Sequence, residues 1–178
     1  MNTQTNFLAQ TPYFNGCSPL LLARFAAKLR RVRLKAETVL FWEGDEDNAW
    51  YLIERGDVAM VRSCQSGVPH VLAELGPGDA FGETNLLESD RENMCSAVAK
   101  TDIHLLKLDA DVFDGLLSVG DPIAVRMLKA MAIAQGRRLK EMTSILQDLT
   151  DTDSLGDLSP LEDPLDVNTV IRSGHLLY

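Results

Sequence analysis

The chain is short of cysteine, of basic residues and of long apolar runs, and each shortage excludes something. Only Cys17, Cys64 and Cys95 occur in 178 residues. An odd, unpatterned set does not make a disulfide frame and fits a reducing, cytoplasmic compartment. No apolar stretch reaches the roughly 18 residues of a membrane-spanning helix, so no membrane partner is expected. Residues Met1 to Asn6 lack a basic region leading into an apolar run, so no secretory signal is expected. Lysine and arginine number 17 against 26 aspartates and glutamates, a formal charge of -9. A diffuse basic surface for nucleic acid is therefore not available.

What is present suffices for one domain with a tail: 46% of the residues are hydrophobic, enough for a real core. Residues 1–31 read as helical. Ser18-Pro19 offers a cap followed by a proline at the first helical position. Leu21, Leu22, Phe25, Ala26 and Leu29 then recur at helical spacing, interleaved with Arg24, Lys28, Arg30 and Arg31. This predicts a surface helix with a solvated basic face. Over residues 32–120 the period shortens. Val32, Leu34, Val39, Phe41, Trp50, Leu52, Val58, Met60, Val71, Leu75, Ala97, Ile103 and Leu105 sit in short runs. Turns at Gly44, Gly56, Gly67 and Gly76-Pro77-Gly78-Asp79 separate them. Many short strands bounded by glycine turns predict an antiparallel, jelly-roll-like β-roll. The fold class is α+β, with N-terminal helices and a long C-terminal helix flanking the roll.

That last helix occupies residues 121–150, opening at Asp121-Pro122. Leu128, Ala132, Gln135, Leu139, Met142, Leu146 and Leu149 follow the alternating 4-3 spacing of a coiled-coil seam, with Gln135 its one polar position. The spacing predicts a homodimer through this helix; the alternative is an amphipathic helix lying on the roll. Residues 151–178 form an acidic tail, with six acids against Arg172 alone and Leu155, Leu158, Leu161 and Leu165 among them. It is either solvated or a linear segment that docks onto the roll or onto a partner.

The segment Gly76-Pro77-Gly78-Asp79-Ala80-Phe81-Gly82-Glu83-Thr84-Asn85-Leu86-Leu87 resembles the phosphate-binding cassette of cyclic nucleotide-binding domains. These occur in the catabolite activator protein family and in protein kinase A regulatory subunits. Val39-Leu40-Phe41-Trp42-Glu43-Gly44-Asp45 and Trp50 to Val58 are similar to other strands of that family, and the likeness extends over residues 7–149. It implies a cyclic mononucleotide ligand, cAMP or cGMP, and no other cofactor or metal. It places the phosphate on backbone amides around Phe81, Gly82, Glu83, Thr84 and Asn85, and gives Glu83 the ribose 2′-hydroxyl. The family's phosphate-pairing arginine falls at Asn93 here. Arg91 lies two residues away, in a loop about one residue longer than usual, and Met94 and Cys95 follow. On the long helix, Thr143 and Ser144 are similar to a pair that reaches the base across a dimer.

A DNA-binding unit after the long helix is not expected, because the acids there would repel a phosphate backbone. An enzyme of the metal-cupin kind needs clustered ligands. His70 and Glu74 have suggestive spacing, but His104 lies in another strand and His175 in the tail. No nucleophile set can be placed either, so the chain is expected not to be an enzyme. It is expected to sense a cyclic mononucleotide and to signal to a protein effector. The alternative is a nucleotide-independent adaptor with a degenerate pocket.

Overall fold

A computed structural model describes residues 3–63, 69–87 and 92–153. In chain order the elements are α1 (Thr3–Gln10), α2 (Pro19–Ala26), β1 (Arg30–Leu34), β2 (Val39–Phe41), β3 (Ala49–Arg55), β4 (Val58–Arg62) and β5 (His70–Leu75). There follow β6 (Ala80–Phe81), α3 (Glu83–Leu87), β7 (Ser96–Ala99), β8 (Ile103–Asp109), α4 (Ala110–Ser118) and α5 (Pro122–Asp153). The strands form two antiparallel sheets of four, ordered β1-β8-β3-β6 and β2-β7-β4-β5. This is the expected roll. Among the described residues no helix is long and apolar enough to cross a membrane.

The local signals act where the sequence puts them. Ser18 accepts a hydrogen bond from the Leu21 amide at 3.3 Å, with Pro19 opening α2. Asp121 accepts from the Ile123 amide at 3.0 Å at the start of α5. Gly44, Gly56 and Gly78 turn the chain with positive φ. The helix α4 is an addition: Ala110, Val112, Phe113, Leu116 and Leu117 recur at helical spacing and pack on the core, although Asp109 at its start makes no side-chain cap.

Within the first sheet, β3 and β8 are buried on both faces, successive side chains alternating between the two. Ala49, Tyr51 and Ile53 of β3, with Ile103 and Leu105 of β8, face into the roll against Val58, Met60 and Ala97 of the second sheet. Trp50, Leu52, Leu106 and Leu108 face outward and are covered by Leu8, Phe14, Leu22, Phe25, Phe113 and the start of α5. This explains why β3 and β8 read as nearly unbroken apolar runs.

On α5 the buried stripe is Ile123, Ala124, Met127 and Met131, with Leu128 packed beside it. Ala132 is exposed, and Leu139 is 67% exposed. The first two turns of the helix therefore lie on the domain by a different stripe from the predicted seam. The side chains of Met142, Leu146 and Leu149 lie outside the described residues. The tail beyond Asp153 does too, so its predicted docking is not described.

Candidate functional site

The turn Gly76–Asp79 closes on itself: Asp79 accepts from the Gly76 amide at 2.9 Å and its own amide donates to the Gly76 carbonyl at 3.0 Å. The Ile53 amide and carbonyl tie this turn to β3. Strand β6 then pairs with Tyr51 and Leu52. Phe81 is fully buried, stacked on Tyr51 at 5.2 Å between centroids, inside the roll. A ligand therefore meets Phe81 only through its backbone.

Gly82 has φ +82°, and a Cβ there would lie 2.4 Å from the Ala49 carbonyl oxygen. Only glycine lets the chain pass this close to β3 and turn into α3. Glu83 opens α3 and is 5% exposed. Its Oε1 accepts a hydrogen bond from Nε2 of Gln135, on α5, at 3.1 Å. The polar member of the predicted helical seam thus reaches the carboxylate that the resemblance gives to the ribose. Thr84 is half-buried, and its hydroxyl lies 3.5 Å from the Asn85 Oδ1.

Tyr13, in the turn after α1, is a member of this neighbourhood that sequence reasoning missed. Its ring sits edge-on to Trp50 at 5.3 Å. Burial, with the carboxylates of Glu83 and Asp79 adding to it, pushes its phenol well above the ordinary range. Seventy residues separate Tyr13 from Glu83, and no spacing rule joins them.

Asn93 is brought to the cassette, as the resemblance implies, but its side chain is occupied. It is buried; its Oδ1 accepts from Asn85 Nδ2 at 2.9 Å and its Nδ2 donates to the Asp45 carbonyl at 3.0 Å. Its amide donates to the same carbonyl, and its own carbonyl accepts from the Gly44 amide. Asn93 is thus a neutral staple between α3 and the β2–β3 turn. Asn93→Ala would strand the buried Asn85 amide, which costs about 1–3 kcal/mol. Thermal unfolding should then fall by about 2–10 °C, and an unchanged midpoint would show that the staple carries no weight.

The other candidates are dispersed. Met94 is 59% exposed, and Cys95 is buried just ahead of β7. Arg91 lies outside the described residues. Thr143 and Ser144 are exposed on α5, and the Thr143 hydroxyl donates to the Leu139 carbonyl at 2.8 Å. Of the cupin-type candidates, His70 is exposed and Glu74 pairs with Lys100 at 2.5 Å. Among the described residues no cluster of three or more histidines, cysteines or acids is placed to hold a metal.

Residues 31–119, half of the chain, match the family model of the cyclic nucleotide-binding domain. The chain belongs to that family. The domain is 33% identical over 120 residues to a cAMP-dependent protein kinase regulatory subunit of Aspergillus niger, covering 67% of this chain and 28% of the relative. It superimposes on the catabolite activator protein of Thermus thermophilus with a TM-score of 0.68 and 31% identity, over 79% of this chain and 63% of the other. A regulatory subunit of a cAMP-independent protein kinase A from Trypanosoma brucei is similar too, with a TM-score of 0.61 and 25% identity over 73% and 46%. A triple mutant of that subunit, in which a threonine becomes arginine, is bound to cAMP. The domain thus spans between about a quarter and two thirds of these relatives' lengths, and they are regulatory proteins rather than enzymes by name.

Proposed function

We propose that this domain senses a cyclic mononucleotide, cAMP or cGMP, and passes the signal to a protein effector in the cytoplasm rather than to DNA. One observation carries the reading: the buried Glu83 carboxylate of the cassette is hydrogen-bonded to Gln135 of the long helix. A ribose hydroxyl seated on Glu83 competes with or re-aims that bond. Ligand binding and the position of α5 are then two ends of one equilibrium, shifted by whatever difference in affinity the two helix positions have. The phosphate is held by backbone amides of residues 82–85, with Arg91 the available guanidinium. In a homodimer joined through the far half of α5, where Ile133 and Leu139 are exposed, Thr143 and Ser144 of the second copy meet the base. Light scattering at twice the 19.6 kDa chain mass is the expected result for that dimer.

The second reading is a nucleotide-independent adaptor. It is favoured by Asn93, whose amide is spent on Asn85 and Asp45 instead of facing an anion, and by the existence of a relative named as cAMP-independent. Calorimetric titration with cAMP and with cGMP separates the two. Saturable heat and a raised melting temperature at millimolar ligand are expected; no heat and no shift with either nucleotide would leave the adaptor.

A further inference from the structure

Two surfaces of the domain hold large apolar side chains in water, and their charges are opposite. The first lies on the helices. α2 and α5 run side by side in opposite directions: Arg24 meets Asp121 at 3.8 Å, while the Arg126 guanidinium donates to the Asn15 carbonyl. Between these two ties stand Leu20 of α2 and Val125 of α5, 74% and 56% exposed. Lys129 lies one turn beyond Val125, and Lys28 follows the end of α2. Both lysines are exposed, and among the described residues neither makes an ion pair. The groove beside α2 sets Arg24 and Lys28 against a single acid, Asp121. That carboxylate is already held by Arg24 and the Ile123 amide.

The second surface lies where the β2–β3 turn meets the segment entering β7. The Gly44 amide donates to the Asn93 carbonyl, the Asn93 amide donates to the Asp45 carbonyl, and Glu46 bridges Glu92. Asn93 is buried, and its neighbours Glu92 and Met94 are exposed. Trp42 is 61% exposed and Met94 59%. Asp45, Glu46 and Glu92 are exposed too, and among the described residues none makes an ion pair. Glu46 and Glu92 stand directly opposite each other, which destabilises the pairing until a cation approaches.

The helices cover the outer face of the first sheet, whereas β2 and β7 belong to the second. The two surfaces therefore lie on different sides of the molecule and do not meet within one copy. We propose that they meet between copies. The acidic Trp42–Met94 surface of one chain docks on the basic Leu20–Val125 surface of the next, a head-to-tail contact independent of the nucleotide reading and of pairing through α5. Each copy carries a formal charge of -9, so net charge opposes association and the apolar side chains supply the attraction. The local charges select which surfaces face each other. A pair joined this way leaves one surface of each kind open, so growth continues past two copies unless a ring closes.

Sedimentation of the full chain tests this, in an Ile133→Lys, Leu139→Lys background that removes pairing through α5. The average mass of this parent should rise above 19.6 kDa between about 10 and about 300 µM protein. Lys28→Glu with Lys129→Glu, and separately Glu46→Lys with Glu92→Lys, should each weaken association by about tenfold or more. An equimolar mixture of the two variants should associate again, because every reversed surface then finds an opposite one. A parent that stays monomeric overturns the proposal. So do variants that associate like the parent, or a mixture that stays monomeric. If either variant melts at a different temperature from the parent, amide NMR of the natural chain over the same concentrations decides. Signals of residues 42–46 and 92–94 should move together with those of residues 20–28 and 125–129. No concentration dependence, or movement at one surface alone, overturns the contact.

Discussion

Glu83→Ala is expected to weaken cAMP binding by about ten- to hundredfold. A hydrogen bond to a charged acceptor is worth about 1.5–3 kcal/mol, and each 1.4 kcal/mol is tenfold in affinity. Glu83→Gln keeps the shape and a neutral acceptor, so its loss should be about tenfold or less. Calorimetry on both variants, with melting temperatures beside it, separates lost contact from lost fold. The same experiment on Gln135→Leu reads the other end of the bond. That variant removes the 3.1 Å partner of Glu83 Oε1, so cAMP should bind more tightly, by about two- to tenfold if a hydrogen bond of ordinary net worth is relieved. Weaker binding by Gln135→Leu would mean that the glutamine helps to hold the ligand instead of competing with it. Unchanged affinity in Glu83→Ala would remove the carboxylate from the site.

Gly82→Ala should be strongly disruptive for a single added methyl. The position has φ +82°, and the added Cβ falls 2.4 Å from the carbonyl oxygen of Ala49. The left-handed conformation costs a non-glycine residue about 1–2 kcal/mol, and overpacking against backbone adds about 1–3 kcal/mol. Ala49 cannot retreat, because β3 is held by β8 on one side and β6 on the other. The melting temperature should fall by about 5–15 °C. Gly78→Ala is the control: its φ is +93°, but an added Cβ meets nothing within 4 Å. Only the conformational cost remains there, so a fall of about 2–6 °C is expected. Equal effects at the two positions would show that the approach to Ala49 is not what makes Gly82 a glycine.

Local features of the fold were readable in the sequence, and long-range ones were not. Ser18-Pro19 and Asp121-Pro122 mark helix starts because a cap needs only its own next three residues. Gly44, Gly56 and Gly78 mark turns because positive φ is a property of one residue. The stripe by which the first turns of α5 pack on the domain was not legible, for a physical reason. Residues 123–134 are almost wholly apolar, so several stripes fit the helical period, and burial against α2 and α4 chose the one through Met127 and Met131. The cassette was legible through Gly82 and Glu83, whose spacing is local. Tyr13 near Glu83, Gln135 on Glu83 and Asn93 between Asn85 and Asp45 each join segments distant in the chain. Three such segments meet only once the roll has closed, and no periodicity announces them.

The central claim is that a sugar phosphate rests on the amides of residues 82–85 with its ribose on Glu83. Amide NMR during a cAMP titration of the full chain tests it directly. The largest shifts should fall on Gly82, Glu83, Thr84 and Asn85, with a second set around Gln135 on α5. Saturable shifts confined to other surfaces, or none at millimolar cAMP, would contradict it.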